Sequence, residues 1–134
     1  MWRTVASVIG GLVAWALIVT LLNFGLRLWL PGYAAAEPAM AFTLAMKIGR
    51  LSEALLAGLA AGAVVHKIAP ESRAAPWVVG LVLLVCFVPI HIQLWSKFPI
   101  WYHLTFLLSL VPMVVLGSQV RPNAREMAPR PSTV

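Results

Sequence analysis

Two places in this chain combine residue types and spacing that could support chemistry. The first is a pair of histidines, His91 and His103, each six residues from Lys97. A very short link, Ser96 to Pro99, predicts an antiparallel hairpin that brings both imidazoles to a similar depth, with Gln93 and Tyr102 nearby. Histidines on facing helices can ligate haem iron, copper or zinc. Two ligands suffice only for haem, however, and a porphyrin would have to fit between helices joined by a very short turn. Histidines bonded to water, to backbone or to each other are the plainer expectation, so no cofactor is expected and haem or copper is the alternative. The second place is Lys47, Arg50 and Glu53, which lie on one face of a helix at 100° per residue. Arg50 and Glu53 are spaced to pair at i, i+3. Such a cluster either lines a polar cavity for an ion or a lipid headgroup, or sits at the membrane interface, paired and snorkelling; the interface is the plainer expectation. Cys86 has no partner for a disulfide and reads as a small apolar packing residue. Aspartate is absent and the four glutamates are scattered. No nucleophile, base and orienter occur together, and no phosphate-cradling glycine loop is present, so an enzyme is not expected.

The elements that position these residues must lie in a membrane. In 134 residues, 61% are hydrophobic and only 10% charged, and the mean hydropathy is +0.90. A soluble domain carries about a quarter charged residues. The net charge of +6 comes from basic residues at segment ends, not from a patch interleaved with exposed aromatics. Anionic lipid headgroups, and not nucleic acid, are therefore the expected counter-charge.

Four spans are expected, over residues 4–30, 42–68, 76–95 and 100–120, packed as an all-α antiparallel up-down bundle in one transmembrane domain, 1–120. Ala34, Ala35 and Ala36 after a basic start imitate a leader-cleavage site, but the apolar run from Val5 to Leu22 exceeds a leader core and reads as a span. Pro31 and Gly32 end the first helix, and the link to Met40 reads as an exposed loop. Pro89 predicts a kink in the third span, and Pro112 an interruption of the fourth. Leu83 is expected to face lipid. Residues 121–134, with three prolines and three arginines, read as a flexible basic tail.

A packing surface is also visible. Ala54, Gly58 and Gly62 recur every four residues, Ala57 and Ala61 form the adjacent row, and Gly10, Gly11 and Ala14 mark the first span. Small residues let helix backbones approach closely where lipid removes the hydrophobic drive. The interface is either internal, against the first span, or between subunits. Four spans place both termini on one side with Arg3, Lys67, Arg73, Arg121, Arg125 and Arg130, against Arg27, Lys47, Arg50 and Lys97 on the other, which predicts cytoplasmic termini.

Gly10-Gly11-Leu-Val-Ala, Ala57-Gly58-Leu-Ala-Ala-Gly62 followed by Lys67, the turn Phe98-Pro99-Ile-Trp101, and Leu116-Gly117 together resemble an uncharacterised family of small four-helix bacterial inner-membrane proteins. The family's turn usually carries histidine where Phe98 stands, and an acid near the position of Asn23. The resemblance implies topology and a bacterial inner membrane, with no activity to transfer. The expected role is thus a non-catalytic accessory, structural or assembly subunit of a larger membrane complex, contacting lipid and either other subunits or further copies of itself. An oligomeric transporter or channel for a small ion or lipid is the second reading, and haem or copper binding the third.

Overall fold

A computed structural model describes residues 1–120; the stretch 121–134, read as a basic tail, lies outside the described residues. Four long helices, α1 (Trp2–Trp29), α3 (Leu44–Ile68), α4 (Ala75–Gln93) and α5 (Ile100–Gln119), are each long and apolar enough to cross a membrane. A one-turn helix, α2 (Tyr33–Ala36), lies between the first two. Local chemistry sets most boundaries. Gly32 adopts φ 78°, a left-handed conformation that turns the chain out of α1. Thr43 caps α3 by accepting from the Met46 N–H at 3.4 Å. Ser72 accepts from the Ala75 N–H at 3.3 Å at the start of α4, where Pro76 occupies a position that needs no donor.

Both internal prolines depart from expectation. α4 runs through Pro89 and α5 through Pro112 as continuous helices, so the fourth span is not interrupted. Neighbouring helices can absorb the one backbone bond that each proline removes.

Direction alternates along the chain, yet helices adjacent in sequence are not always adjacent in space. α3 packs chiefly against α1 and α5, while α4 closes the bundle between α5 and α1. The spatial order is therefore α1, α3, α5, α4, and it makes α3 and α5 parallel neighbours. Their register follows from the glycines: Gly58 lies against Met113, and Gly62 against Val114 and Gly117. A Cβ on Gly62 would run into the Val114 carbonyl and come within 2.6 Å of the Ser118 nitrogen. The small-residue ladder of α3 is thus an internal seam with α5. Gly11 instead meets α3 through Val65, and Gly10 meets it through Ile68. Arg3 ties the same end together by donating to the Ile68 carbonyl at 2.9 Å.

The two halves of the bundle differ as a result. Near the termini, small residues and Val65, Val79 and Val114 close the core. Toward the opposite end the core is aromatic and polar, with Trp15, Phe87, Phe106, Tyr102, Tyr33 and the two histidines. Leu83, expected to face lipid, is buried because α4 turns that face inward. Cys86 is exposed on the outer face and packs no core.

Candidate functional site

The link between α1 and α3 is not the exposed loop that its composition suggests. Tyr33 is fully buried (0% exposed), and Phe42 stacks on it with ring centroids 5.2 Å apart. An aromatic ring next to a span gains by leaving water if its hydroxyl finds partners. Here the Tyr33 hydroxyl donates to Asn23 Oδ1 at 2.7 Å and accepts from Arg50 Nη1 at 2.7 Å. Asn23 Nδ2 in turn donates to Glu37 Oε1 at 3.0 Å, and Glu37 Oε2 pairs with Arg27 Nε at 2.7 Å. The chain of contacts from Arg27 to Arg50 fastens the link over the end of the bundle.

Electrostatics follow from the same contacts. Partial burial alone would raise the Glu37 pKa, but the bonds from Asn23 and Arg27 and the charges of Arg27 and Arg50 hold its carboxyl below the ordinary carboxylate value. Burial pushes the Tyr33 hydroxyl above its usual range, against the pull of Arg50, so it remains a neutral donor. The Arg50 guanidinium also sits over the Phe42 ring at 4.9 Å.

Beneath this network lies a cavity of about 310 Å³. Its polar wall contains Asn23, Glu37, Arg50 and Glu53, and its apolar wall Trp15, Val19, Phe87 and Phe106, with Tyr102 between them. Among the described residues, three buried side-chain atoms lack a hydrogen-bond partner: Trp15 Nε1, Arg50 Nε and Glu53 Oε2. All three belong to residues lining this one cavity. Trp15 is 7% exposed and Glu53 6%. An unmade bond on a buried polar group costs about 1–3 kcal/mol, so three in one place make this cavity the candidate binding site.

The expected Lys47, Arg50 and Glu53 cluster is divided by the fold. Arg50 and Glu53 line the cavity and Lys47 does not. Nor do Arg50 and Glu53 form the i, i+3 ion pair: among the described residues the ion pair is Arg27 with Glu37. Tyr33, inserted from the link, takes the Arg50 guanidinium in place of Glu53.

The hairpin does bring His91 and His103 together, with their Nδ1 atoms 2.8 Å apart and both rings buried. The contact of His103 Nε2 with the Trp95 carbonyl at 3.4 Å places the His103 proton on Nε2. His103 Nδ1 is then the acceptor and His91 Nδ1 the donor. Trp95 stacks on His103 at 4.8 Å, and Phe98 on Tyr102 at 4.4 Å. A porphyrin has no room between nitrogens so close, and no third histidine, cysteine or carboxylate completes a metal set among the described residues.

Sequence reasoning missed Trp15, Asn23, Tyr33 and Glu37. One signal was present: Trp15 stands in the middle of a span, whereas membrane tryptophans concentrate at interfaces. The fold and the cavity define a multi-pass integral membrane protein whose four-helix bundle holds a half-open cavity of mixed apolar and polar lining. No protein-family model, curated protein or solved structure matches the chain.

Proposed function

We propose that this chain is a non-catalytic membrane protein that binds a small amphiphilic molecule in the chamber between its helices. The observation that carries this reading is the convergence of the unpartnered Trp15 Nε1, Arg50 Nε and Glu53 Oε2 on one cavity. Its volume is at the lower edge of ligand pockets, which run from about 300 to 1,000 Å³. An apolar wall with a few convergent polar atoms suits a molecule that arrives from the bilayer.

The accessory-subunit reading rested on the small-residue face as a partner surface. That face is taken up by the seam of α3 with α5, so a partner would have to use the lipid-facing outer sides. A channel reading has the same cavity as its support, but among the described residues Val65, Val79 and Val114 pack into the core nearer the termini. In our reading the protein sits in a bacterial inner membrane with both termini cytoplasmic. The support is the count of basic residues along the sequence, Arg3, Lys67, Arg73, Arg121, Arg125 and Arg130 against Arg27, Lys47, Arg50 and Lys97.

The test is chemical analysis of small molecules carried through purification in mild detergent, with Ala54→Leu as the comparison. Ala54 is buried on the cavity wall, so leucine fills the space. A bound amphiphile is expected at near-stoichiometric amount on the native chain and is lost from the folded variant. The same carried molecules on both chains would overturn the reading.

A further inference from the structure

We infer that a second site, separate from the chamber, holds an anionic phospholipid, with its phosphate in the cavity between the ends of α3, α4 and α5 and an acyl chain along the outer face of α4. The cavity, of about 360 Å³, opens where the last turn of α3, the link to α4 and the last turn of α5 meet. These pieces of chain come together because Gly62, set against Val114 and Gly117, brings the ends of α3 and α5 side by side. His66, Ser72, Arg73, Ser118 and Gln119 line the cavity, and Trp77 stands beside them.

Charge decides what kind of head the cavity takes. Among the described residues no carboxylate lines it, and Arg73 belongs to no ion pair. A neighbouring cavity of about 290 Å³ makes the contrast, since there Arg3 is engaged by the Ile68 carbonyl and Glu71 shares the lining. Hydrogen-bond capacity agrees with charge. Arg73 can only donate, and His66 offers a ring N–H in either tautomer. Ser72, whose oxygen accepts from the Ala75 N–H at 3.3 Å, keeps its own proton to give. Donors around a permanent cation, with no acid among them, suit an oxyanion. The amine of a zwitterionic head would find no acid there to meet it.

Position names the source of that oxyanion. Trp77 is 53% exposed at the start of a span, where tryptophan marks the headgroup level. Leu81 and Val85 follow it at helical spacing along one row of α4, and both are exposed. With Val78, Val82 and Cys86 they line an apolar furrow of about 300 Å³. A polar cavity at headgroup level, followed past one tryptophan by an apolar furrow at the depth of the acyl chains, has the two parts of a phospholipid in their order. A free phosphate would use only the first part, and a hydrocarbon only the second.

The test is native mass spectrometry of the delipidated full chain in detergent, titrated with phosphatidylglycerol, with phosphatidylcholine of the same acyl chains, and with glycerol phosphate as the bare head. Phosphatidylglycerol is expected to bind about tenfold more tightly than phosphatidylcholine, the measure of one charge-assisted hydrogen bond. Arg73→Gln, at an exposed position of the link, should erase that preference. Lys67→Gln removes the same charge from a residue next to His66 but outside the cavity, and should keep it. Ala54→Leu, which fills the chamber, should keep it as well. Equal affinity for the two lipids would overturn the inference, and so would equal losses in Lys67→Gln and Arg73→Gln, the mark of a diffuse attraction to the basic end. Glycerol phosphate bound as tightly as phosphatidylglycerol would overturn the lipid assignment, because the furrow would then add nothing. Loss in Ala54→Leu with Arg73→Gln indifferent would put the lipid in the chamber and overturn this second site.

Discussion

At the scale of single residues, Tyr33 matters more than any charged side chain read from the sequence. Its hydroxyl is the shared partner of Arg50 and Asn23. Tyr33→Phe leaves the half-buried Arg50 short of one acceptor and Asn23 Oδ1 short of a donor, and should destabilise the fold by about 1–3 kcal/mol. Double-mutant cycles measured in detergent should give a strong coupling for Arg50 with Tyr33 and a weaker one for Arg50 with Glu53, which form no ion pair. The reverse order would mean that Arg50 turns to Glu53 and not to the link. Glu37 gives a second prediction at this scale. Its pKa is held below the ordinary 4.5 in the folded state, so the unfolded state binds the proton more readily and stability rises with pH in that range. The anchoring of the link is complete above the ordinary value and is lost as pH falls through the folded value. The protection factors of residues 31–43, with exchange corrected for its intrinsic pH dependence, should fall on acidification in the native chain and should be lower and flat with pH in Glu37→Gln. A protection independent of pH in the native chain would show that Glu37 does not hold the link.

Elements show where the sequence was legible and where it was not. Span count, direction and approximate limits follow from hydropathy because lipid forces every backbone group into long helices. The glycine ladder of α3 was legible as a packing face for the same reason, but its partner was not. Small residues state that a backbone comes close, and say nothing of which one; the parallel seam with α5 emerges only from the spatial order of the bundle. The link was misread because a composition of alanines, one acid and two prolines resembles a loop, while its function depends on one buried ring, Tyr33. The cavity was half visible: Arg50 and Glu53 belong to it, whereas Trp15 and Asn23 come from another helix at a register that only packing sets. The glycines can be ranked by what a side chain would meet. Gly62→Leu and Gly117→Leu drive side chains into backbone and should abolish folding, and Gly58→Leu, against Met113 Cβ at 2.8 Å, should harm it severely. Gly10→Ala meets only the flexible end of Ile68 and should be mild, and Gly25→Ala, with open space around it, should stabilise α1 by about 0.5–1 kcal/mol. Yield of monodisperse protein and melting temperature in detergent check the series. A folded Gly62→Leu chain would mean that α3 and α5 do not share this seam.

The whole molecule differs between its two ends. At the end with the termini small residues let α3 and α5 touch and Arg3 clasps the end of α3, while cavities of about 360 Å³ and 290 Å³ open between the helix ends. Toward the other end large aromatics hold the helices apart around Arg50 and Glu53. The asymmetry makes orientation functional, because it decides from which side of the membrane the chamber is closest to water. At the chamber end Arg27 pairs with Glu37 and Arg50 donates to Tyr33, and Lys47 and Lys97 are the further basic residues there. Arg3, Lys67 and Arg73 lie at the end with the termini, which is the cytoplasmic end in the orientation proposed above. Single cysteines placed at Arg73 and at Lys97, in a Cys86→Ala background, should therefore label from opposite sides of intact cells, Lys97→Cys from outside and Arg73→Cys only after permeabilisation. Labelling of both positions from one side would break the alternation of the four spans, and labelling of Arg73→Cys alone from outside would invert the molecule and turn the chamber toward the cytoplasm.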